Sequence, residues 1–173
     1  MYNVASSLQL IDCSFTNNTA TSTVGPHNGG GGISNRFDTS TLTNCVFSNN
    51  QALNGGGMHN SQDSSPLLEG CQFIENSAIG VDEGWTEDEG KGGAIYNYNA
   101  SNPSLYDCVF TGNTAVSGGS WDNSNGGGAI SVEEYCNASL TNCIFSLNKT
   151  DGYGGSVFID GSAPTKTTLL FPS

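Results

Sequence analysis

Positive charge is scarce in this chain: 4 Lys and Arg stand against 16 Asp and Glu, a formal net charge of −12. Such a surface repels nucleic acid and anionic lipid, so nucleic acid is not an expected partner. Only 12% of residues are charged, which excludes long helices with solvated charged faces. No stretch reaches the roughly 18 consecutive apolar residues of a spanning helix, so membrane insertion of this segment is not expected. The opening MYNVASSLQL has neither a basic start nor a long apolar stretch and does not read as a signal peptide. No C-x-x-C pair occurs, and the cysteines fit no compact zinc pattern. The helical apolar spacing of leucine-rich, ankyrin and tetratricopeptide repeats is missing as well.

What is present is repetition. Leu-x-x-Cys-x-Phe-x-x-Asn is written five times, at Leu10 to Asn18, Leu42 to Asn50, Leu68 to Asn76, Leu105 to Asn113 and Leu140 to Asn148. A second motif alternates with it: Gly-Gly, a small residue, then an aliphatic, ending at Ile33, Met58, Ile95, Ile130 and Val157. From the first Gly of the pair to the next Cys the distance is 15, 16, 16 and 16 residues. From the Phe to the next Gly-Gly it varies from 8 to 19. One half of the unit is fixed, and the other half takes insertions.

The fixed half consists of short pieces of period two, bounded by Gly, Asn and Asp, the turn formers. Three short strands per turn, with a minimal turn of 26 residues (Cys45 to Cys71), describe a parallel β-helix of about five turns. The chain is expected to be one all-β domain over 1–173. Leu, Cys, Phe and Ile then stack on themselves inside the cylinder. Asn18, Asn50, Asn76, Asn113 and Asn148 form a buried amide ladder, as amides do in stacked parallel strands. Asn35, Asn60 and Asn97 form a second column. Cys13, Cys45, Cys71, Cys108 and Cys143 share one repeat position and read as interior free thiols that pack as small hydrophobes. Only Cys136 lies off that column, which makes it the expected reactive or disulfide-forming thiol.

Both ends read as internal to a longer solenoid. Met1-Tyr2-Asn3 aligns with Ile95-Tyr96-Asn97, so the chain begins in mid-turn. Leu169-Leu170-Phe171 falls where the next Cys-x-Phe would come. Further turns of a parent chain are therefore expected partners, because an uncapped β-helix exposes sheet edges.

Gly-Gly-Ala-Ile, literal at Gly92 to Ile95 and Gly127 to Ile130, alternates with five Phe-x-x-Asn copies: Phe15/Asn18, Phe47/Asn50, Phe73/Asn76, Phe110/Asn113 and Phe145/Asn148. This resembles the repeats of the polymorphic outer membrane proteins and covers nearly the whole chain. The resemblance implies a right-handed β-helix passenger of an autotransporter, at the bacterial cell surface or secreted, used in adhesion. A host or environmental glycan, or a surface protein, is the expected partner. No translocator barrel is seen in this sequence.

Function is sought where the repeat is silent, in insertions 21–29, 79–91 and 116–125, which leave from one corner of the stack. Loops on a rigid scaffold are the usual place for binding. The only tryptophans, Trp85 and Trp121, fall in the second and third of these. With Asp122 they suit a glycan, the ring stacking on the sugar while acids accept hydroxyl protons. The alternative is that each ring folds back over the cylinder wall. Asp82, Glu83, Glu87, Asp88 and Glu89 offer hard oxygen ligands for Ca²⁺, although their spacing matches neither the EF-hand loop nor the Gly-Gly-x-Gly-x-Asp repeat. Otherwise no cofactor is expected. His27 and His59 read as solvent-facing, and Glu133 and Glu134 as standing alone.

No catalytic residue is assigned. Many sugar lyases and hydrolases are β-helices, so fold alone leaves enzyme chemistry open. Hydrolysis would need two facing carboxylates, and no wall column repeats an acid. An ice-binding face would need an unbroken Thr column, which Ile74 interrupts. The expectation is a non-catalytic adhesin-like or structural segment. The rival is a polysaccharide-acting, pectin-lyase-like enzyme whose catalytic turns lie elsewhere in the parent.

Overall fold

Period-two pieces of three residues, closed by Asn, Asp and Gly corners, are too short to fold alone and gain their hydrogen bonds only by stacking. The computed structural model shows that stack. It describes residues 1–21, 29–81, 90–118 and 126–160, and the backbone of 168–170. Four sheets run the length of the molecule, and every strand pairing is parallel.

Sheet A holds Tyr2–Val4, Ile33–Arg36, Met58–Ser61, Ile95–Asn97, Ile130–Val132 and Val157–Ile159. Sheet B holds Gln9–Ile11, Thr41–Thr43, Leu67–Glu69, Ser104–Tyr106, Ser139–Thr141 and Thr168–Leu170. Sheet C, the Cys-x-Phe piece, holds Ser14–Thr16, Val46–Ser48, Gln72–Ile74, Val109–Thr111 and Ile144–Ser146. The three strands expected per turn are joined by a fourth, at the Asn-x-Ala step. This sheet D holds Gln51–Ala52, Ser77–Ile79, Thr114–Val116 and Lys149–Thr150.

Inside the cylinder, like packs on like. Phe15, Phe47, Phe73, Phe110 and Phe145 form a continuous stack with centroids 4.9, 4.7, 5.0 and 4.9 Å apart and planes within 8° of parallel. The strand register imposes that spacing, and each ring pair adds about 0.5–1.5 kcal/mol beyond its burial. Leu42, Leu68, Leu105 and Leu140 line the next wall with the buried cysteines.

The asparagine ladder is polarised. Nδ2 of Asn18, Asn50, Asn76 and Asn113 donates to Oδ1 of the next copy at 2.9, 2.9, 3.0 and 2.9 Å. The second Nδ2 hydrogen of Asn50, Asn76, Asn113 and Asn148 reaches the carbonyl of a Phe one turn back. Asn50, Asn76 and Asn113 are buried, whereas Asn18 is exposed and Asn148 half-buried. The second column is a ladder too: Asn3 to Asn35, Asn35 to Asn60 and Asn60 to Asn97, at 2.9–3.0 Å.

All six cysteines are free. Cys13 is half-buried and the other five are buried. Burial pushes the Cys45 thiol up to about 11. Cys136 does not behave as a reactive thiol. It occupies the corner position held by Ser6, Asp38, Ser64 and Ser101 in other turns, and its Sγ accepts the Ser101 N–H at 3.2 Å. Burial pushes it up to about 12, and a thiol held protonated is a poor nucleophile.

Candidate functional site

Sheets B, C and D show the usual alternation of one buried residue between two more open ones. Sheet A differs: in Met58–Ser61, Ile95–Asn97 and Ile130–Val132 every residue is buried. Its middle positions point away from the core and are still covered. The register brings Ser34, His59, Tyr96 and Ser131 into one outer column. That column is the one place on the described wall where titratable and aromatic polar side chains gather.

His59 is 1% exposed and Tyr96 is 3%. Their rings stack at 5.2 Å, 25° from parallel, and Tyr98 leans on Tyr96 at 5.8 Å. The expectation that His59 faces solvent is thus overturned: its strand neighbour one turn on covers it.

Lys91 and Glu133, each 5% exposed, cross this column. Lys91 lies just before the Gly-Gly entry to sheet A, and Glu133 just after the sheet A strand of the following turn. The Lys91 Nζ reaches Glu133 Oε2 at 2.7 Å. The Tyr96 hydroxyl donates to the same oxygen at 3.4 Å. Glu133 therefore does not stand alone. Gly126, the residue one turn above Lys91, leaves room for the Ser131 side chain beside this pair. A Cβ there would lie 1.6 Å from Ser131 Oγ and 3.4 Å from Lys91 Cβ. Ser131 Oγ is buried without a hydrogen-bond partner among the described residues.

This face adjoins the corner that carries the insertions. Sheet D hands the chain to sheet A there, and the feet of the second and third insertions are packed backbone on backbone. Gly80 N donates to Val116 O at 2.9 Å. A Cβ on Gly118 would lie 2.3 Å from backbone atoms of Val81. The described feet of the two insertions thus share one base. At the first insertion a cavity of about 390 Å³ opens between Tyr2, Ala20, Gly29 and Ser34.

The glycan candidates Trp85, Trp121 and Asp122 lie outside the described residues, as do His27 and the calcium candidates Asp82, Glu83, Glu87, Asp88 and Glu89. Among the described residues no three His, Cys, Asp or Glu side chains converge as a metal site.

The arrangement limits the chemistry available. One carboxylate, already neutralised by a lysine, stands where inverting or retaining hydrolysis would need two. A phenol, an imidazole and an ammonium group are acid–base equipment, but each is covered. The sequence signal for this cluster was thin. His59, Tyr96 and Ser131 occupy one repeat position without sharing a residue type, and Lys91 and Glu133 occur once each.

No curated protein and no solved structure matches the chain. A sequence family described as the right-handed beta helix region matches residues 2–168. With the parallel four-sheet stack and its single repeated core, that match places the chain in the right-handed β-helix family.

Proposed function

We propose that this chain is a non-catalytic segment of a bacterial cell-surface or secreted β-helix protein, adhesin-like or structural, that contacts glycans through its edge loops. The observation that carries this reading is the shared base of the second and third insertions, Gly80 and Val81 packed on Val116 and Gly118. It packs the described feet of the two tryptophan-bearing insertions against each other at one edge of the stack. Loops on a rigid scaffold are the usual place for binding, and aromatic rings suit sugar faces. The alternation of Gly-Gly-Ala-Ile with Phe-x-x-Asn resembles the polymorphic outer membrane proteins and supports the surface location and the adhesive role.

Glycan-array binding of the wild type, Trp85→Ala and Trp121→Ala tests this. Retention of a glycan by the wild type and its loss in both variants is the expected result. Unchanged binding in both, or none in the wild type, sinks the idea. Calorimetric titration with Ca²⁺ against Asp88→Asn tests the metal candidates, and absence of heat in the wild type ends them.

The rival reading is a polysaccharide-acting β-helix; the acid–base groups it would draw on among the described residues, Lys91, Glu133, Tyr96 and His59, are buried. Incubation with acidic polysaccharides decides between the two. Release of unsaturated or reducing ends by the wild type, lost in Tyr96→Phe, would replace the first reading by the second.

A further inference from the structure

The stack brings five free thiols into one in-register column. Val46, Gln72, Val109 and Ile144 each donate a backbone N–H, at 2.9 Å, to the carbonyl of Cys13, Cys45, Cys71 and Cys108 respectively. These bonds lock the five cysteines in register. Their side chains therefore repeat at the parallel-strand spacing of roughly 4.7–4.9 Å. The Cys108 thiol is buried and donates to Leu68 O, one turn back, at 3.7 Å. All five are free.

A four-ligand tetrahedral site has no place in a straight column. A two-ligand linear site does. Thiolates select soft d¹⁰ ions, and two metal–thiolate bonds of about 2.3 Å placed end to end span about 4.6 Å. An ion set between adjacent sulfurs thus fits the stack without moving a strand. Charge decides its valence. A monovalent ion held by two thiolates leaves a net negative charge among Leu and Phe side chains, which an apolar interior penalises heavily. A divalent ion gives a neutral unit.

We infer that adjacent column cysteines form linear bis-thiolate sites for a divalent thiophilic cation, with mercuric ion as the type. Each site forms by 2 Cys–SH + M²⁺ → Cys–S–M–S–Cys + 2 H⁺. Two S–H bonds break, two S–M bonds form, both protons leave to solvent, and nothing is oxidised or reduced. Five thiols in a row accommodate two such ions. Cys13, half-buried where its neighbours are closed, is the point of first contact, with Cys45 as its partner. The ion replaces weak thiol hydrogen bonds, such as Cys45 Sγ to Leu10 O at 3.4 Å.

The test is titration of the reduced full chain with mercuric chloride. It is followed by ultraviolet thiolate-to-metal absorption, proton release, circular dichroism and X-ray absorption at the metal edge. Two two-sulfur sites per chain, two protons per ion and an unchanged β spectrum are expected. Cys45→Ala/Cys108→Ala keeps three column thiols with no two adjacent, and is expected to lose every two-sulfur site. Cys13→Ala/Cys143→Ala keeps three adjacent thiols and retains one site; it also stands as the informative variant if the first fails to fold. Cys136→Ala retains both sites. One-sulfur coordination in the wild type, uptake only as the β spectrum collapses, or equal two-sulfur capacity in the two double variants overturns the inference.

Discussion

The Lys91 ammonium and the Glu133 carboxylate, 42 residues apart in sequence, meet at 2.7 Å across the outer face of sheet A, with Tyr96 hydrogen-bonded to the same oxygen. Neither side chain has water to fall back on. Removing one partner strands a buried charge, which costs about 3–5 kcal/mol, whereas replacing both by apolar groups of similar volume is often neutral. Glu133→Ala and Lys91→Met should each lower stability in urea by that amount. The double variant Lys91→Met/Glu133→Leu should recover most of it. A double variant as unstable as the sum of the singles would show that the pair is not coupled.

A second prediction follows from the direction of the asparagine ladder. Asn76 Nδ2 donates to Phe47 O and Asn113 Oδ1, while its Oδ1 accepts from the N and Nδ2 of Asn50. Asn76→Leu breaks four hydrogen bonds and leaves buried partners unsatisfied, at about 1–3 kcal/mol for each stranded group. Thermal unfolding should show the largest loss for Asn76 or Asn113. Asn18, whose exposed amide spans one interface only, should show a fraction of it. Equal losses at Asn18 and Asn76 would contradict a ladder buried at its centre.

The ladders were legible from sequence because each role is written in the same letter every turn. Stacking in register turns identity of residue into identity of position, and the Phe, Cys and Asn columns followed. The fourth sheet was harder to see, since its strands are two or three residues long and were read as a corner. The outer column of sheet A could not be read at all. Ser34, His59, Tyr96 and Ser131 share a position and differ in chemistry. The Lys91–Glu133 pair arises only because one turn's entry lies diagonally across from the next turn's exit. The reading of Cys136 failed for a related reason: it left the thiol column only to join a corner column made of Ser and Asp.

A third prediction concerns pH. Burial pushes the Cys136 thiol above its ordinary range to about 12, and Cys45 to about 11. A thiol that stays protonated when folded and ionises when unfolded stabilises the fold fully below the unfolded value. That contribution is lost as pH rises through the folded one. The urea midpoint should therefore hold up to about pH 9 and fall between about 9 and 12. Cys136→Ala should flatten part of that fall. Alkylation at pH 8 should label Cys13 first and spare Cys136 until the chain unfolds; rapid labelling of Cys136 in the native chain would refute its burial.

The last prediction is a gain in stability. The corner after the Cys-x-Phe strand needs a left-handed residue, with φ of 56°, 54°, 52°, 67° and 57° at Asn17, Asn49, Glu75, Gly112 and Leu147. Asn and Gly enter that region readily, whereas a leucine pays about 1–2 kcal/mol. Leu147 is 76% exposed, so its side chain gains little burial to offset that cost. Leu147→Asn should stabilise the chain by about 0.5–1 kcal/mol in denaturant unfolding, by relief of backbone strain alone. Leu147→Gly relieves the same strain and also loosens the unfolded chain, so it should gain less than Asn. The two variants separate the contributions: if Leu147→Val, β-branched and worse suited to positive φ, proves as stable as Leu147→Asn, backbone strain at this corner is not what the leucine costs.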